Sequence, residues 1–317
     1  MDNHKDAYAL VLGASIVDIF GFCEATYSHC NSTPGSIKMS FGGVCRNIAE
    51  NMARVGVNTK FISILGNDEK GKSMLEHSRM MGYNMDESLI LEDGATPTYL
   101  AILDHKGEMV SAVVDMDSIN KLSPEFIDSK ATVIENAEYT ILDSDNPVIL
   151  GYILNKFKGK TKFVLDPVSA CKAANIKHLI GNFHTIKPNR YEAEVLAGFP
   201  IKNDEDLKKA SDYFHGLGVE KIFISLDEDG IYFSDGEKRG KYKVNNVPVV
   251  NVTGAGDAFV AGLAYGYING LSIEDTVVFS IAMSTITIAH EETIDPNMNL
   301  DLVNRNIEEL SWTKIDY

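Results

Sequence analysis

Short, continuously apolar runs recur along this chain, and helical patterns separate them. A strand that is apolar on both faces must be covered on both faces, as in a parallel sheet that lies between helices. The pattern therefore predicts an α/β fold with a mainly parallel central sheet. The strand-like runs are Ala7 to Gly13, Phe61 to Gly66, Tyr139 to Asp143, Lys162 to Asp166, His184 to Lys187 and Lys221 to Leu226.

Three extended segments do not fit this alternation. Tyr99 to Leu103 and Met109 to Val114 flank Asp104-His105-Lys106-Gly107, which is typical of a hairpin turn, and Ser36 to Phe41 also has extended character. Together they predict a small sheet apart from the main one. Such a sheet can cover a ligand at the carboxyl ends of the core strands, where open α/β sheets bind their ligands.

The charge balance limits the classes of partner. The chain has 45 acidic and 29 basic residues, a formal net charge of −16, and no evident face rich in lysine and arginine. A polyanion such as RNA or DNA is therefore not an expected partner. A small anionic ligand is compatible with this charge if backbone amides, a metal ion and a few cations meet its charge locally.

The cysteines and the hydropathy pattern favour a cytoplasmic protein. No CxxC pair is present and a chain of 317 residues does not need disulfides, so we interpret the cysteines as free thiols in a reducing compartment. No stretch approaches the roughly 18 apolar residues of a membrane span, and no signal peptide is recognised. The cysteines are Cys23, Cys30, Cys45 and Cys171.

The most informative motif is Asn-Val-Thr-Gly-Ala-Gly-Asp-Ala-Phe-Val-Ala-Gly at residues 251–262, where a glycine-rich turn runs into a helix. The turn can present backbone N–H groups to one anion, and the helix start adds partial positive charge. Asp257, in the first turn, can face an incoming hydroxyl. The combination suits phosphoryl transfer, although glycines before a helix are also often only a tight connection.

A second glycine turn, Phe41-Gly42-Gly43-Val44-Cys45-Arg46-Asn47, also precedes a helix. Paired glycines let a ligand approach the backbone closely, and Asn47 offers a donor and an acceptor to the vicinal hydroxyls of a sugar. Asp18, after the first strand, can accept two hydrogen bonds from a diol. The alternatives are an ordinary strand-to-helix turn with a solvent-facing Asn47, and a capping role for Asp18.

Lys187-Pro188-Asn189-Arg190-Tyr191-Glu192 follows a short strand and opens a helix. Asn189 and Glu192 lie three residues apart, so they can organise a hydrated Mg²⁺, while Lys187 and Arg190 can offset phosphate charge. An Asn N-cap with Glu at N3 is an equally good interpretation. Asp166-Pro167-Val168-Ser169 ends another strand at the same predicted edge.

Residues 66–73, Gly-Asn-Asp-Glu-Lys-Gly-Lys-Ser, satisfy the P-loop pattern and follow a predicted strand. A phosphate cradle turns N–H groups inward without competing anions, whereas Asp68 and Glu69 put two carboxylates in this loop. A P-loop NTPase is therefore an alternative that the sequence itself disfavours.

With both glycine motifs present in this order and spacing, the chain resembles the ribokinase-like (PfkB) sugar and nucleoside kinases over nearly all of its length. Within that family it is most similar to kinases of pseudouridine. The matching segments are 33–38, 42–51, 166–170, 187–190 and 251–257. The resemblance implies a ribokinase-like three-layer core in one domain over residues 1–317, with a lid formed by insertions at about 15–40 and 96–117.

The resemblance also implies roles for individual residues. Asp257 is the expected catalytic base, with an anion hole formed by the amides of Gly254, Ala255 and Gly256. The expected substrate residues are Asp18, Gly42, Gly43, Asn47, Thr98 and Tyr99. The expected nucleotide residues are Lys187, Asn189, Ser225, Gly230 and Thr253, and Asn189 with Glu192 is expected to hold the metal through water. ATP and Mg²⁺ are the implied cofactors, and a monovalent cation such as K⁺ is compatible with the family.

The implied reaction is ATP-dependent phosphorylation of the 5′-hydroxyl of a ribosyl compound, with pseudouridine favoured. Ribose and other nucleosides, such as adenosine or inosine, are alternative acceptors, and a non-catalytic sugar-binding protein is a further alternative. A homodimer through the lid is expected. Two residues depart from the family pattern, because Ile16 stands where many relatives have Asn and Asp227 replaces a glycine of the nucleotide loop.

Overall fold

A computed structural model describes residues 7–317. Its strands are β1 (Ala9–Leu12), β2 (Ile16–Cys23), β3 (Gly35–Gly42), β4 (Thr59–Ile62), β5 (Ile64–Gly66), β6 (Leu89–Leu91), β7 (Thr98–Leu103), β8 (Met109–Asp115), β9 (Tyr139–Leu142), β10 (Lys162–Leu165), β11 (Thr185–Ile186), β12 (Lys221–Ser225), β13 (Ile231–Ser234), β14 (Arg239–Asn245) and β15 (Ser311–Asp316). Its α-helices are α1 (Val44–Arg54), α2 (Glu69–Met81), α3 (Pro124–Ser129), α4 (Ala131–Glu135), α5 (Pro147–Lys156), α6 (Ala170–Ile176), α7 (Arg190–Ala197), α8 (Asp204–Leu217), α9 (Ala255–Ile268), α10 (Ile273–Ile288) and α11 (Leu300–Glu309).

The central sheet has nine strands in the order β15-β14-β13-β12-β11-β10-β9-β1-β4. The six strands from β4 to β12 in this order run parallel, and β13, β14 and β15 continue the sheet in antiparallel fashion. The carboxyl ends of the six parallel strands therefore share one edge. The predicted mainly parallel α/β fold is confirmed.

Helices cover both faces of the sheet, because consecutive strand residues point to opposite faces. Along β1, Leu10 and Leu12 belong to one core cluster, whereas Ala9 and Val11 belong to the other. Helices α3 to α8 pack on the first face, and α1, α2 and α9 to α11 pack on the second. Helix α9 is apolar nearly all round and packs closely on α10, since a Cβ on Gly262 would lie 2.5 Å from Cα of Ser280.

The predicted small separate sheet is confirmed, but it has four strands in the order β3-β2-β7-β8, because β2 joins the three segments that the sequence indicated. Strands β7 and β8 form the expected hairpin, whose turn is closed by the bond from Gly107 N to Asp104 O, with Gly107 at φ 81°. We call this four-stranded sheet the lid sheet. Within residues 7–317, no helix combines the length and apolar character needed to cross a bilayer.

The run from Phe61 to Gly66 is not the single strand that its composition predicts. The strand breaks at Ser63, whose N–H donates to Oγ of Ser88 and whose hydroxyl bonds that of Ser15. As a result β4 stays in the central sheet, while β5 pairs with β6 in a two-stranded sheet of its own.

Candidate active site

The two glycine turns converge on one hydrogen bond. Nδ2 of Asn47, on α1, donates to Oδ2 of Asp257, on α9, at 2.7 Å, although 210 positions separate the two residues. Both side chains are buried, with 6% of Asn47 and 8% of Asp257 exposed. The candidate sugar-binding turn and the candidate catalytic carboxylate therefore occupy one site.

The turn before α9 requires glycine at its first position. Gly254 has φ 86°, and a Cβ there would lie 2.2 Å from the carbonyl oxygen of Thr293. Among the described residues, the amides of Gly254, Gly256 and Asp257 have no hydrogen-bond acceptor, whereas that of Ala255 makes a long 3.4 Å bond to Val252 O. The N–H groups of Gly254, Gly256 and Asp257 are thus the open donors for an anion at this helix start.

Lys187 lies beside this helix start. Its Nζ lies 3.1 Å from Oδ2 of Asp166 in a buried ion pair, and a Cβ on Gly256 would come within 2.6 Å of that Nζ. Burial works against the ammonium, yet attraction to Asp166, Glu192 and Asp257 raises the pKa of Lys187. A permanently charged ammonium therefore faces the open amides, an arrangement that suits a phosphate.

Lys187 is surrounded by more negative charges than its single positive charge can neutralise. Asp166, Glu192 and Asp257 all act on the single ammonium. Burial, and then the nearby charge of Asp166, raise the pKa of Asp257 to about 7, against the hydrogen bond from Asn47 and the positive charges of Lys187 and Arg46. A site with this excess of buried negative charge fits a divalent cation that arrives with the phosphates.

Asn189 and Glu192 form the capping box that the sequence left as an alternative. Glu192 N donates to Oδ1 of Asn189 at 2.9 Å, and Asn189 N donates to Oε2 of Glu192 at 2.7 Å. Burial raises the pKa of Glu192, and the proximity of Asp166 adds to this effect. The cap fixes Glu192 beside Lys187 and Asp166, so the capping role and a metal role are compatible.

On the sugar side, Asp18 lies against the paired glycines. A Cβ on Gly42 would come 2.1 Å from Oδ2 of Asp18, and Gly43, at φ 97°, would meet Ala14 O at 2.8 Å. Burial raises the pKa of Asp18, against the attraction of Arg46. The glycines thus let the Asp18 carboxylate reach the start of α1, next to Asn47.

The lid sheet carries Tyr99 and Thr98 on opposite faces. Tyr99 pairs in register with Asp18, so the two share a face, and its ring lies 6.0 Å from that of Phe20. Thr98 faces the other side, where its hydroxyl accepts from Nζ of Lys70 at 2.8 Å. The structure therefore brings Tyr99, but not the Thr98 side chain, to the face of Asp18.

The expected nucleotide loop follows β12. Ser225 N bonds Pro188 O, which joins this loop to the start of α7, and Gly230 has φ 89° with Tyr242 O only 2.0 Å from a Cβ position. Asp227 has φ 52°, a left-handed conformation that favours glycine and that Asp tolerates better than most residues. Asp227 is exposed, as is Thr253 in the turn before α9.

In the P-loop-like segment, residues 66–73, the carboxylate of Asp68 accepts the backbone hydrogen bonds. Oδ1 of Asp68 accepts from Gly71 N at 2.8 Å, and Oδ2 accepts from Thr96 N at 3.0 Å. The side chain of Lys72 is 60% exposed and pairs with Glu69 on the surface. The position that a phosphate would need is therefore occupied by a helix cap.

Three residues near the site have no role assigned from the sequence. Asp166 follows a strand at the predicted edge, so its position marks it as a polar strand terminus there, but nothing local shows that it pairs with Lys187. Phe20 lies two residues after Asp18, and strand alternation would have placed it on the same face. Arg46 lies inside the second glycine motif, but a charged residue beside a glycine turn gives no sign of burial.

Comparisons with known proteins show the family of this chain. The model of the pfkB family carbohydrate kinases matches residues 6–300. Pseudouridine kinase of Escherichia coli K12 is 34% identical over 301 residues, which cover 94% of this chain and 95% of that protein. A crystal structure from Clostridium perfringens, provisionally named a sugar kinase, is 64% identical with a TM-score of 0.96, and 99% of each chain is covered.

A more distant structure shows the same fold. Arabidopsis thaliana ribokinase, solved with ribose and ATP, has a TM-score of 0.82 at 22% identity and covers 95% of this chain and 99% of its own. The extent of the family match, together with the 34% identical relative, decides the assignment. The chain belongs to the pfkB family of carbohydrate kinases and is a phosphotransferase that acts on a sugar or nucleoside hydroxyl.

Proposed function

We propose that this chain transfers the γ-phosphate of ATP to the 5′-hydroxyl of a ribosyl compound, and that free pseudouridine is the acceptor. The hydrogen bond between Asn47 and Asp257 carries the proposal, because it joins the sugar side of the site to a buried carboxylate at a helix start. The name of the 34% identical relative supports pseudouridine.

In the proposed mechanism, Asp257 orients the 5′-hydroxyl and accepts its proton. Phosphoryl transfer is largely dissociative, so the proton leaves late and positioning contributes more than basicity. Lys187 and the open amides of Gly254, Gly256 and Asp257 hold the transferring phosphoryl group and stabilise the charge on its oxygens. Asp18 and Asn47 hold the ribose hydroxyls.

Mg²⁺ would be held through water by Glu192 and Asn189, with Asp166 close by, and its chemistry is to neutralise phosphate charge. The excess of buried carboxylates around Lys187 supports this assignment. The same excess explains why the site needs a cation when the anionic nucleotide binds.

The lid face around Asp18 favours a nucleoside over a free sugar. Ile16, Asp18 and Phe20 alternate along β2 and so share one face, and Tyr99 joins them from β7. Aromatic rings stack on nucleobases, and the apolar Ile16 offers no hydrogen bond to an additional sugar hydroxyl. This surface suits a flat ring beside a ribose.

We expect a purified-protein assay with pseudouridine, uridine, adenosine and ribose to give the highest kcat/KM for pseudouridine. Tyr99→Ala should raise the KM for that nucleoside roughly 10- to 100-fold, since stacking contributes about 1 to 3 kcal/mol per base. The KM for ribose, which has no base, is the internal control. Equal losses for both acceptors would contradict a base-stacking role, and a preference for ribose would favour the ribokinase alternative.

Asp257→Asn should lower kcat by roughly 100- to 10,000-fold, because general base catalysis typically contributes that much. Calorimetry should show unchanged binding of the acceptor, since Asn retains an oxygen for the bond from Asn47. Lys72→Ala is the matched test of the P-loop alternative and should leave turnover unchanged. Normal turnover by Asp257→Asn would reject the assignment of the base.

The rate should depend on pH through Asp257. With a pKa of about 7, the carboxylate is increasingly protonated below neutrality, so kcat/KM for the acceptor at saturating Mg·ATP should fall about tenfold per pH unit well below pH 7. A profile that stays flat from pH 5 to pH 8 would contradict this expectation.

The same shift predicts the sign of a stability effect. Folding raises the pKa of Asp257, so the native state binds a proton at this carboxyl more readily than the unfolded state does. The protonated carboxyl therefore contributes to the free energy of unfolding at low pH, and this contribution is lost as the pH rises through about 7. Asp257→Asn should therefore be at least as stable as wild type at pH 8, and thermal unfolding measures this directly.

We further propose that the outer face of the lid sheet binds a second copy of the chain. Met39, Ile19, Leu100 and Val113 form one apolar row across all four strands, on the face opposite Asp18. Met39, Leu100 and Val113 are 52%, 41% and 67% exposed. A contiguous apolar face on a sheet with two open edges is typical of an isologous interface.

Sedimentation should therefore give a dimer, and Val113→Lys should shift it towards monomer because the charge would be buried at the interface. Val148→Lys is a matched control, since Val148 is 81% exposed on α5, outside the lid sheet. A monomeric wild type, or equal effects of the two substitutions, would reject the lid interface.

A further inference from the structure

A cluster of charged side chains lies buried behind the candidate active site. Arg46 and Glu50, one turn apart on α1, pair through Nη1 and Oε2 at 2.5 Å, with side chains only 5% and 3% exposed. Arg54 donates to the other oxygen of Glu50 from Nε and Nη2, and Nε2 of His77 on α2 lies 2.8 Å from Oε2. We call these four residues the α1 charge cluster.

Glu50 keeps its charge in this cluster. Burial opposes ionisation, but the bond to His77 and the two guanidinium groups of Arg46 and Arg54 lower the pKa of Glu50 to about 2. A buried ion pair is weak evidence for stability, because desolvation offsets most of the attraction. Its presence one residue from Asn47 therefore calls for a reason other than stability.

Arg46 determines which way the Asn47 amide points. Nη2 of Arg46 donates to Oδ1 of Asn47 at 2.5 Å. Since a guanidinium has only donors, the amide oxygen must face Arg46, and the amide nitrogen then faces Asp257, to which it donates at 2.7 Å. The flipped amide would put an oxygen against the Asp257 carboxylate and lose both bonds.

The same nitrogen of Arg46 reaches the lid sheet. Nη2 also donates to the carbonyl oxygen of Phe41 at 2.5 Å, immediately before the paired glycines. The Phe41 ring lies 4.9 Å from the ring of His77, which in turn bonds Glu50. The α1 charge cluster thus holds the end of β3 by both its backbone and its side chain.

We propose that Arg46 is a positioning residue for phosphoryl transfer: its guanidinium, held by Glu50, orients the Asn47 amide towards Asp257 and ties that orientation to the end of β3. The inference rests on the proposed role of Asp257 as the base. It makes Arg46 part of the catalytic apparatus although Arg46 touches neither the acceptor nor the phosphate.

Arg54 provides a matched control within the cluster. It pairs with the same Glu50, and its Nη1 donates to Pro296 O at 2.7 Å, but the hydrogen bonds of its guanidinium within residues 7–317 include none to Asn47 or Phe41. Arg46→Met and Arg54→Met therefore each remove one guanidinium from Glu50, and only the first releases the Asn47 amide.

We expect Arg46→Met to lower kcat about 10- to 100-fold with little change in the KM for ATP, because a small misplacement of a catalytic group has an effect of this size. Arg54→Met should keep kcat within about twofold of wild type, even where thermal unfolding shows that it is less stable. Arg46→Lys, which keeps the charge but cannot serve both oxygens in the same geometry, should lose activity to an intermediate extent and provides the test if Arg46→Met does not fold.

A second readout needs no substrate. The carboxyl carbon of Asp257 can be titrated by ¹³C NMR, with its signal assigned by its loss in Asp257→Asn. The groups that act on Asp257 are Asp166 and Lys187 from the strand ends and Asn47 and Arg46 from α1, while Glu50 faces Arg46, Arg54 and His77. Arg46→Met should move the Asp257 titration to higher pH, and Arg54→Met should leave it in place. Arg46→Lys keeps the positive charge, so an upward shift in that variant as well would report the lost orientation of the Asn47 amide rather than the lost charge.

Equal losses of kcat in Arg46→Met and Arg54→Met, with an unchanged Asp257 titration in both, would overturn the proposal and leave the cluster a structural role only. If wild type phosphorylates none of the acceptors tested, the proposed function fails, whereas the titration still decides whether Arg46 positions the pair of Asn47 and Asp257. The two failures are therefore distinguishable.

Discussion

The hydrogen bond from Asn47 to Asp257 is the contact on which the rest of the site depends. It joins two candidate residues that are 210 positions apart in the sequence. Both side chains are buried, and each lies at the start of one of two packed helices. Helix α9 is also held against α10 through Gly262, so a shift of α9 relative to α1 would disturb both this packing and the hydrogen bond. A buried amide and a buried carboxylate each lose hydration, so each needs the other as a partner.

Charge imbalance is the second constraint. Asp166, Glu192 and Asp257 surround one ammonium, that of Lys187, so the protein without ligands carries more buried negative charge than it can pair. A protein selected only for stability would not keep this imbalance, because unpaired buried charge is unfavourable. The imbalance raises the pKa of both Asp257 and Glu192. A kinase can retain this imbalance, because a divalent cation that arrives with the phosphates offsets the carboxylates, and open backbone amides offset the phosphates. Local backbone donors thus explain how a chain of net charge −16 can bind an anion.

Most of the architecture could be predicted from the sequence, because buried parallel strands leave an apolar signature that does not depend on distant residues. The strand at Tyr139 is an example, whereas the antiparallel hairpin around Gly107 was indicated by its turn residues. The signature failed at Ser63, where one hydroxyl network ends β4 and lets β5 turn away, and composition cannot register a hydrogen bond to Ser88. It also missed β14, whose alternating lysines resemble a surface segment rather than a strand.

The candidate site was less accessible to prediction, for a physical reason. Glycine turns and strand ends are local, so Asp257, Asn47 and Asp18 could be nominated from their neighbours in sequence. The capping box at Asn189 is local as well, so the sequence could offer it as one of two interpretations. Whether a polar residue is buried depends on partners elsewhere, so the burial of Arg46 could not be foreseen.

The two faces of the lid sheet have different proposed roles, and strand alternation assigns each residue to one face. Residues of one parity on β2, such as Asp18 and Phe20, face the proposed acceptor, while those of the other parity, such as Ile19, contribute to an apolar outer row. A one-residue slip between β2 and β3 would exchange the faces and separate Asp18 from Gly42. The bond from Arg46 to Phe41 O holds the end of β3 next to that register, so one guanidinium helps to fix both the strand that carries the proposed sugar-binding glycines and the amide that faces the proposed base.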